Sequence, residues 1–205
     1  TYSQVLLCFS IMLLEFSLAE MFARGFDSFS SLVRSGEFDR ILVRPQNEIL
    51  QVLGCRFELT RAGRLLQAVV MFVYGISESE IAWDPLKILT VIFMLIGGIA
   101  VFTGLFMIYA GLCFFTLDGL EFMNIFTDGA REFGKYPMGV YGKKILLFSI
   151  FIVPYAWIQY YPFLYLLGQR DSVWFVVLPL GACWFLIPAW LLWRTGVKRY
   201  QSSGS

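Results

Sequence analysis

Five stretches of this sequence are apolar over the length that a membrane crossing needs, and no other property of the chain restricts its fold as tightly. An α-helix rises about 1.5 Å per residue, so about 20 mainly apolar residues cross the roughly 30 Å hydrocarbon core. The windows fall at about 4–23, 65–76 with its flanks, 88–115, 145–168 and 173–193. With 58% hydrophobic and 15% charged residues, the chain also carries more apolar side chains than a soluble core of its length could bury. Backbone polar groups in lipid must be satisfied within their own segment. The windows therefore predict an all-α integral membrane protein, a single transmembrane domain over residues 1–205 with five spans.

The first window does not read as a removable targeting peptide. It carries Glu15 and Glu20, has no basic residue ahead of it and lacks a small-residue cleavage site. The chain begins at Thr1 rather than Met, so a preceding segment with a further span is expected.

Charge sets the orientation, because short loops rich in Lys and Arg stay on the cytoplasmic side. Alternating the loops groups 24–64, 116–144 and 194–205 on one side, with 77–87 and 169–172 on the other. Every basic residue except Lys87 and Arg170 falls in the first group, and those two sit beside Glu78, Glu80, Asp84 and Asp171. The region 24–64 is thus placed in the cytosol.

The residue inventory removes several chemistries. No histidine is present, which takes away the commonest metal ligand and the commonest neutral-pH general base. Cys8, Cys55, Cys113 and Cys183 are scattered, with no paired spacing. No catalytic residue, metal site or nucleic-acid partner is expected. The stretch GAREFGKY, residues 129–136, imitates a phosphate-binding loop. Tyr136 and Pro137 follow Lys135 where a Mg²⁺-binding Ser or Thr is needed, and no strand precedes it, so it reads as a connector.

Within the spans, Gly97, Ala100, Gly104 and Gly111 lie within about 60° of one another on a helix. Such a stripe lets a neighbouring helix approach closely, within the subunit or across a dimer, and a substrate path along it is the alternative. Glu15, some eleven residues into its span, would cost at least about 2.5 kcal/mol if ionised in lipid, so it should face protein or a water-filled cavity. It is a candidate path residue, whereas Glu20 can reach water or Arg24 four residues on. Pro154 and Pro162 break the fourth window. The span is expected to end near Gln159, with a short outer re-entrant helix over 159–168 ended by Gly168 in a left-handed conformation, and one tilted helix kinked at Pro154 is the alternative. Tyr155, Trp157, Tyr160 and Tyr161 fit an outer aromatic belt. Pro154, Tyr160, Tyr161 and Pro162 are the residues of an outer gate on the alternative reading.

The cytoplasmic stretch 24–64 is amphipathic. Phe22, Phe26, Phe29 and Val33 recur at helical spacing, and after Gly36 a short helix sets Phe38, Ile41 and Leu42 on one face with Glu37, Arg40 and Arg44 on the other. Pro45 stops it, since the residue before proline avoids the α region. Such a helix can lie on lipid, pack on the protein's own helix ends, or dock in a partner's groove. The interleaved acids Asp27, Glu37, Asp39, Glu48 and Glu58 argue against a lipid-surface helix, and docking on a partner is favoured.

The segments SGEFDRILVRPQNEILQVLG (35–54), REFGKYPMGVYGKKILLFSIFIVPYAWIQYYPFLYLLG (131–168) and the terminal W..GVKRYQSSGS closely resemble bacterial ABC-2 type permeases, in particular the branch often encoded with one ATPase and a second, related permease. Gln46 departs from the small residue usual after the RP pair. The resemblance implies six spans in the whole protein, an inner-membrane exporter subunit forming half of the translocation path, and a second permease, identical or related. It implies ATP and Mg in a dimer of partner ATPase subunits and no cofactor in this chain. Phe38, Ile41 and Leu42 would be the apolar seat on the ATPase, with Glu37, Asp39, Arg40 and Arg44 setting register and Pro45 closing the helix. A helical hairpin between the last two spans is also implied. A channel or receptor-like subunit and a membrane-embedded enzyme are the alternatives. The aromatic and aliphatic spans suit an amphipathic or lipid-like cargo.

Overall fold

The computed structural model describes residues 2–55, 62–79, 81–116, 123–133 and 143–201. Arg56, Glu58, Arg61, Glu80 and Lys135 lie outside the described residues, as does the 129–136 motif from residue 134 onward. Every regular element among the described residues is helical.

Three helical segments are long and apolar enough to cross a membrane. The first joins α1 (Tyr2–Asp27) to α2 (Phe29–Arg34), the second is α6 (Pro85–Thr116), and the third runs through α10 (Trp174–Gly181), a 3₁₀ turn (Ala182–Phe185) and α11 (Leu186–Arg199). A fourth is reached only if α8 (Lys143–Phe151) and the helix over Ala156–Leu166, bent by 100° at their junction, form one crossing. The second apolar window forms α5 (Ala62–Glu78), whose 17 residues reach about 25 Å, short of the hydrocarbon core.

Packing partners fix the directions of these helices. On α1, Glu15 lies over Gly98, and the Phe16 ring meets Phe102 at 5.3 Å and Phe106 at 6.3 Å, so α1 runs parallel to α6. The last segment is parallel too, because Gly97, Gly104 and Gly111 face Pro179, Phe185 and Trp193 in turn. The other two helices run the opposite way. Arg64 at the start of α5 reaches Glu20 while Gly75 near its end abuts Leu7. Tyr155 meets Phe102, Ile158 meets Gly97, and Leu166 clusters with Val91 and Met94. Arg24, Arg64, Arg194, Lys198 and Arg199 consequently gather at one end of the bundle, opposite Lys87 and Arg170, in the division that the loop charges predict.

The break in the fourth window is at Pro154 and not at Pro162. The bend occupies residues 152–155, between Phe151 and Ala156. From there a π-helical turn, Ala156–Tyr160, flows directly into α9 (Tyr161–Leu166), with Pro162 buried at its start. Proline in a regular α-helix clashes with the carbonyl four residues back. The wider π turn relaxes that crowding and lets the helix continue. Gln159 and the residues through Leu166 therefore continue the helix that begins at Ala156, and the 100° break ahead of it fits either a broken span or a re-entrant element that starts at Ala156 rather than after Gln159. Gly168 ends it with φ 67°, its N–H donating to Tyr165 O at 3.0 Å and that of Gln169 to Leu164 O at 3.1 Å. These two hydrogen bonds close the helix at Gly168, as the sequence predicts.

Candidate functional sites in the bundle and at its basic end

The stretch that follows α1 folds through three short elements: α2, then α3 (Glu37–Val43), then α4 (Glu48–Cys55). Gly36 turns the chain between α2 and α3 with φ 70°, which a side chain would disfavour. Arg44, ahead of Pro45, is extended at φ −77°, ψ 136°, so α3 stops where the proline dictates. The Asn47 side chain accepts the Ile49 N–H at 2.9 Å to start α4, and Gln51 Nε2 donates to Ile41 O at 3.2 Å and Gln46 O at 3.1 Å, tying α4 back to α3.

The orientation of α3 turns two of the three expected seat residues inward and leaves Leu42 outside. Phe38 is fully buried and Ile41 nearly so, in the chain's own core. Phe38 sits edge-on among Phe29 at 4.9 Å, Tyr200 at 5.1 Å, Phe114 at 5.4 Å and Trp193 at 6.1 Å. They cannot seat a partner in this conformation. The outward side of α3 offers Glu37, Arg40, Leu42, Val43, Arg44 and Pro45, with Leu42 41% and Val43 85% exposed. Asp39 is half-buried near Tyr200, whose phenol is pushed above its ordinary value by burial and then by the Asp39 carboxylate. Hydrophobic periodicity finds this face but cannot say which surface covers it. Here the ends of α6 and α11 do.

Deep in the bundle Glu15 is fully buried, and neither carboxyl oxygen has a hydrogen-bond partner among the described residues. A Cβ on Gly98 would overlap this carboxyl, so the glycine makes the room it occupies. Gly98 is not part of the small-residue stripe and was not expected. Only the facing acid on another helix gives it meaning. A buried, unmatched polar group costs about 1–3 kcal/mol. Glu15→Met, similar in length and apolar, is therefore expected to melt at or above the wild-type temperature in detergent, with a gain of about 1–3 kcal/mol if the full penalty is relieved. A clearly lower melting temperature would mean that the carboxyl has a stabilising partner.

A second buried polar group, Gln159 in the π turn, donates through Nε2 to Cys8 O at 2.6 Å and Cys8 Sγ at 3.1 Å, pinning the turn to α1. Tyr155 is buried within the bundle and donates its hydroxyl to Phe126 O in α7 (Asn124–Phe133), so it does not belong to an outer belt. Tyr160 and Tyr161 are half-buried and touch at 5.2 Å, and Tyr161 stacks on Phe175 at 5.4 Å. Pro154 and Pro162 are both buried.

At the basic end α1, α5, α6 and α7 enclose a cavity of about 420 Å³ with a polar lining. Glu20 accepts from Arg64 Nη1 at 2.5 Å and faces Arg24 Nη1 at 3.6 Å, while Arg24 also pairs with Asp27. The Arg24 contact is the one that four-residue spacing predicts. Arg64 arrives from 44 positions away, beyond any local signal. Among the described residues, no group of His, Cys, Asp or Glu is placed to hold a metal ion.

A family model described as ABC-2 family transporter protein matches residues 1–204. The chain belongs to this family. No match is found among curated proteins or among solved structures. An ABC-2 family protein is the membrane component of a transporter and not itself its catalytic subunit, and the apolar helices make this one a multi-pass permease. In the ABC-2 chain the stripe residues Gly97, Gly104 and Gly111 face its own last segment, and Ala100 is half-buried.

Proposed function

We propose that this ABC-2 permease is the membrane subunit of an ATP-driven exporter in a bacterial inner membrane, forming half of a translocation path with a second permease, identical or related. Five crossings are proposed: α1, α5, α6, the bent segment through Ala156–Leu166, and α10 to α11. The alternation of helix directions supports them, since each successive helix returns the chain to the opposite end. ATP and Mg belong to a dimer of partner ATPase subunits. The carrying observation is the joint at α3. Its inner face is locked through Phe38 to Phe29, Phe114, Trp193 and Tyr200, which belong to or adjoin α2, α6 and α11. A push on its outer face is therefore delivered to several spans as a rigid-body movement. The coupling surface is the outward set Glu37, Arg40, Leu42, Arg44 and Pro45, with Asp39 at its edge. Phe38 and Ile41 act as the anchor behind it.

The test is an Arg40→Glu, Arg44→Glu double variant. Both side chains are exposed, so folding should be unchanged. Reversing two interfacial charges disfavours a complementary partner by several kcal/mol, and recovery of the ATPase with the purified permease should fall at least about tenfold. Undiminished recovery would overturn the coupling assignment.

A further inference from the structure

We propose that the polar cavity at the basic end of the bundle is a binding site for a phosphate group, free or on a lipid headgroup, received chiefly by Arg64. Its 420 Å³ falls within the roughly 300–1,000 Å³ range of small-molecule sites. Among the described residues two guanidiniums face Glu20 and Asp27, and these four charges are not equally presented. Arg24 and Asp27 are matched at 24% and 23% exposed, whereas Arg64 is 29% exposed against 5% for Glu20. The accessible charge is therefore positive on the Arg64 side. Asp27, paired with Arg24, repels an anion from the opposite side.

Arg64 is also arranged for exchange of partners. Its guanidinium lies over the Phe16 ring at 5.7 Å, which holds the plane without consuming its N–H groups. The described bond to Glu20 uses Nη1. A planar guanidinium presents paired donors that match phosphate and carboxylate two at a time. Glu20 is thus the resident anion, and an incoming one competes with it for the same donors. Asn124, exposed on α7, adds an amide at the wall.

The inference rests on the cavity's geometry rather than on transport, so it can fail independently of the exporter reading. The experiment is a binding titration of the purified full chain in detergent with inorganic phosphate and, separately, with dihexanoyl phosphatidic acid, using dihexanoyl phosphatidylcholine as the control. Wild type should bind at least one of the two anionic probes. Preference for the lipid marks a headgroup site, and equal affinity marks a site for free anions. Arg64→Gln should weaken binding at least about tenfold. Arg64→Lys, which keeps the charge and loses the fork, should fall between. Glu20→Gln should tighten binding, because the competing anion is gone while the guanidiniums remain. An ion pair that only held helices together would not shift affinity in opposite directions on removing its two halves. If Arg64→Gln does not fold, Asn124→Ala disturbs no ion pair and should lose about threefold from one hydrogen bond. Binding of neither anionic probe, or changes of the same sign in Arg64→Gln and Glu20→Gln, would overturn the proposal.

Discussion

Phe38→Asp is expected to remove folded protein altogether rather than to leave an intact permease that has lost its partner. Truncating a buried Phe costs about 3–5 kcal/mol by itself. Aspartate adds the desolvation of a carboxylate among four aromatic rings, with no cation among those ring contacts. Against a total stability of about 5–15 kcal/mol, the sum is enough to open the joint between α3 and the ends of α6 and α11. Leu42→Asp, one turn on and 41% exposed, should change stability by only about 0.5 kcal/mol. Size-exclusion profiles of the two proteins in the same detergent make the comparison. A monodisperse Phe38→Asp peak equal to that of Leu42→Asp would show that Phe38 faces outward after all. The contrast matters because a surface seat and a buried anchor have the same sequence pattern and opposite mutational consequences.

That ambiguity marks what could be read from sequence here. Stops governed by local backbone chemistry are legible, since Pro45 restricts Arg44 and Gly168 supplies the left-handed residue whatever surrounds them. The division of the basic residues between the two ends of the bundle is legible as well, because it follows from the alternation of the apolar windows and not from particular contacts. The two prolines of the fourth window have different outcomes for a tertiary reason. Pro154 bends the chain, while Pro162 is absorbed by a π turn that Gln159 fastens to Cys8, 151 positions away. The same holds for Phe38, whose covering surface comes from Phe114 and Trp193. It holds for Glu20, which is completed by Arg64, and for Gly98, whose value lies in the Glu15 carboxyl above it. In each case the residue type narrows the possibilities, and a partner from a distant span selects among them.

Gly97→Leu is expected to give the other large effect, by forcing apart the two segments whose contact shapes the middle of the bundle. A Cβ at this position would overlap the Pro179 carbonyl oxygen, stand 2.9 Å from its carbon and 3.2 Å from Ile158 Cγ2. The first two atoms are backbone, so no rotamer change relieves them. Pro179 has no N–H and already leaves the helix short of one bond, and the chain passes into a 3₁₀ turn three residues later, so α10 has little regular structure with which to absorb a shift. Without a hydrophobic driving force between helices in lipid, close approach at small residues supplies much of their association. Overpacking typically costs about 1–3 kcal/mol where side chains can adjust. Gly97→Leu should reach or exceed the top of that range and lower the melting temperature in detergent accordingly. Gly104→Ala should cost less, because the nearest atom is Cδ1 of the Phe185 ring at 2.9 Å, a side chain that can tilt. Gly54→Ala, with nothing within 4 Å and an exposed position on α4, should be neutral or slightly stabilising through helix propensity. The ranking is the discriminating result. If Gly97→Leu melts with wild type while Gly104→Ala does not, Pro179 does not approach α6 at Gly97, and the parallel packing of the last segment along the glycine stripe has a different register.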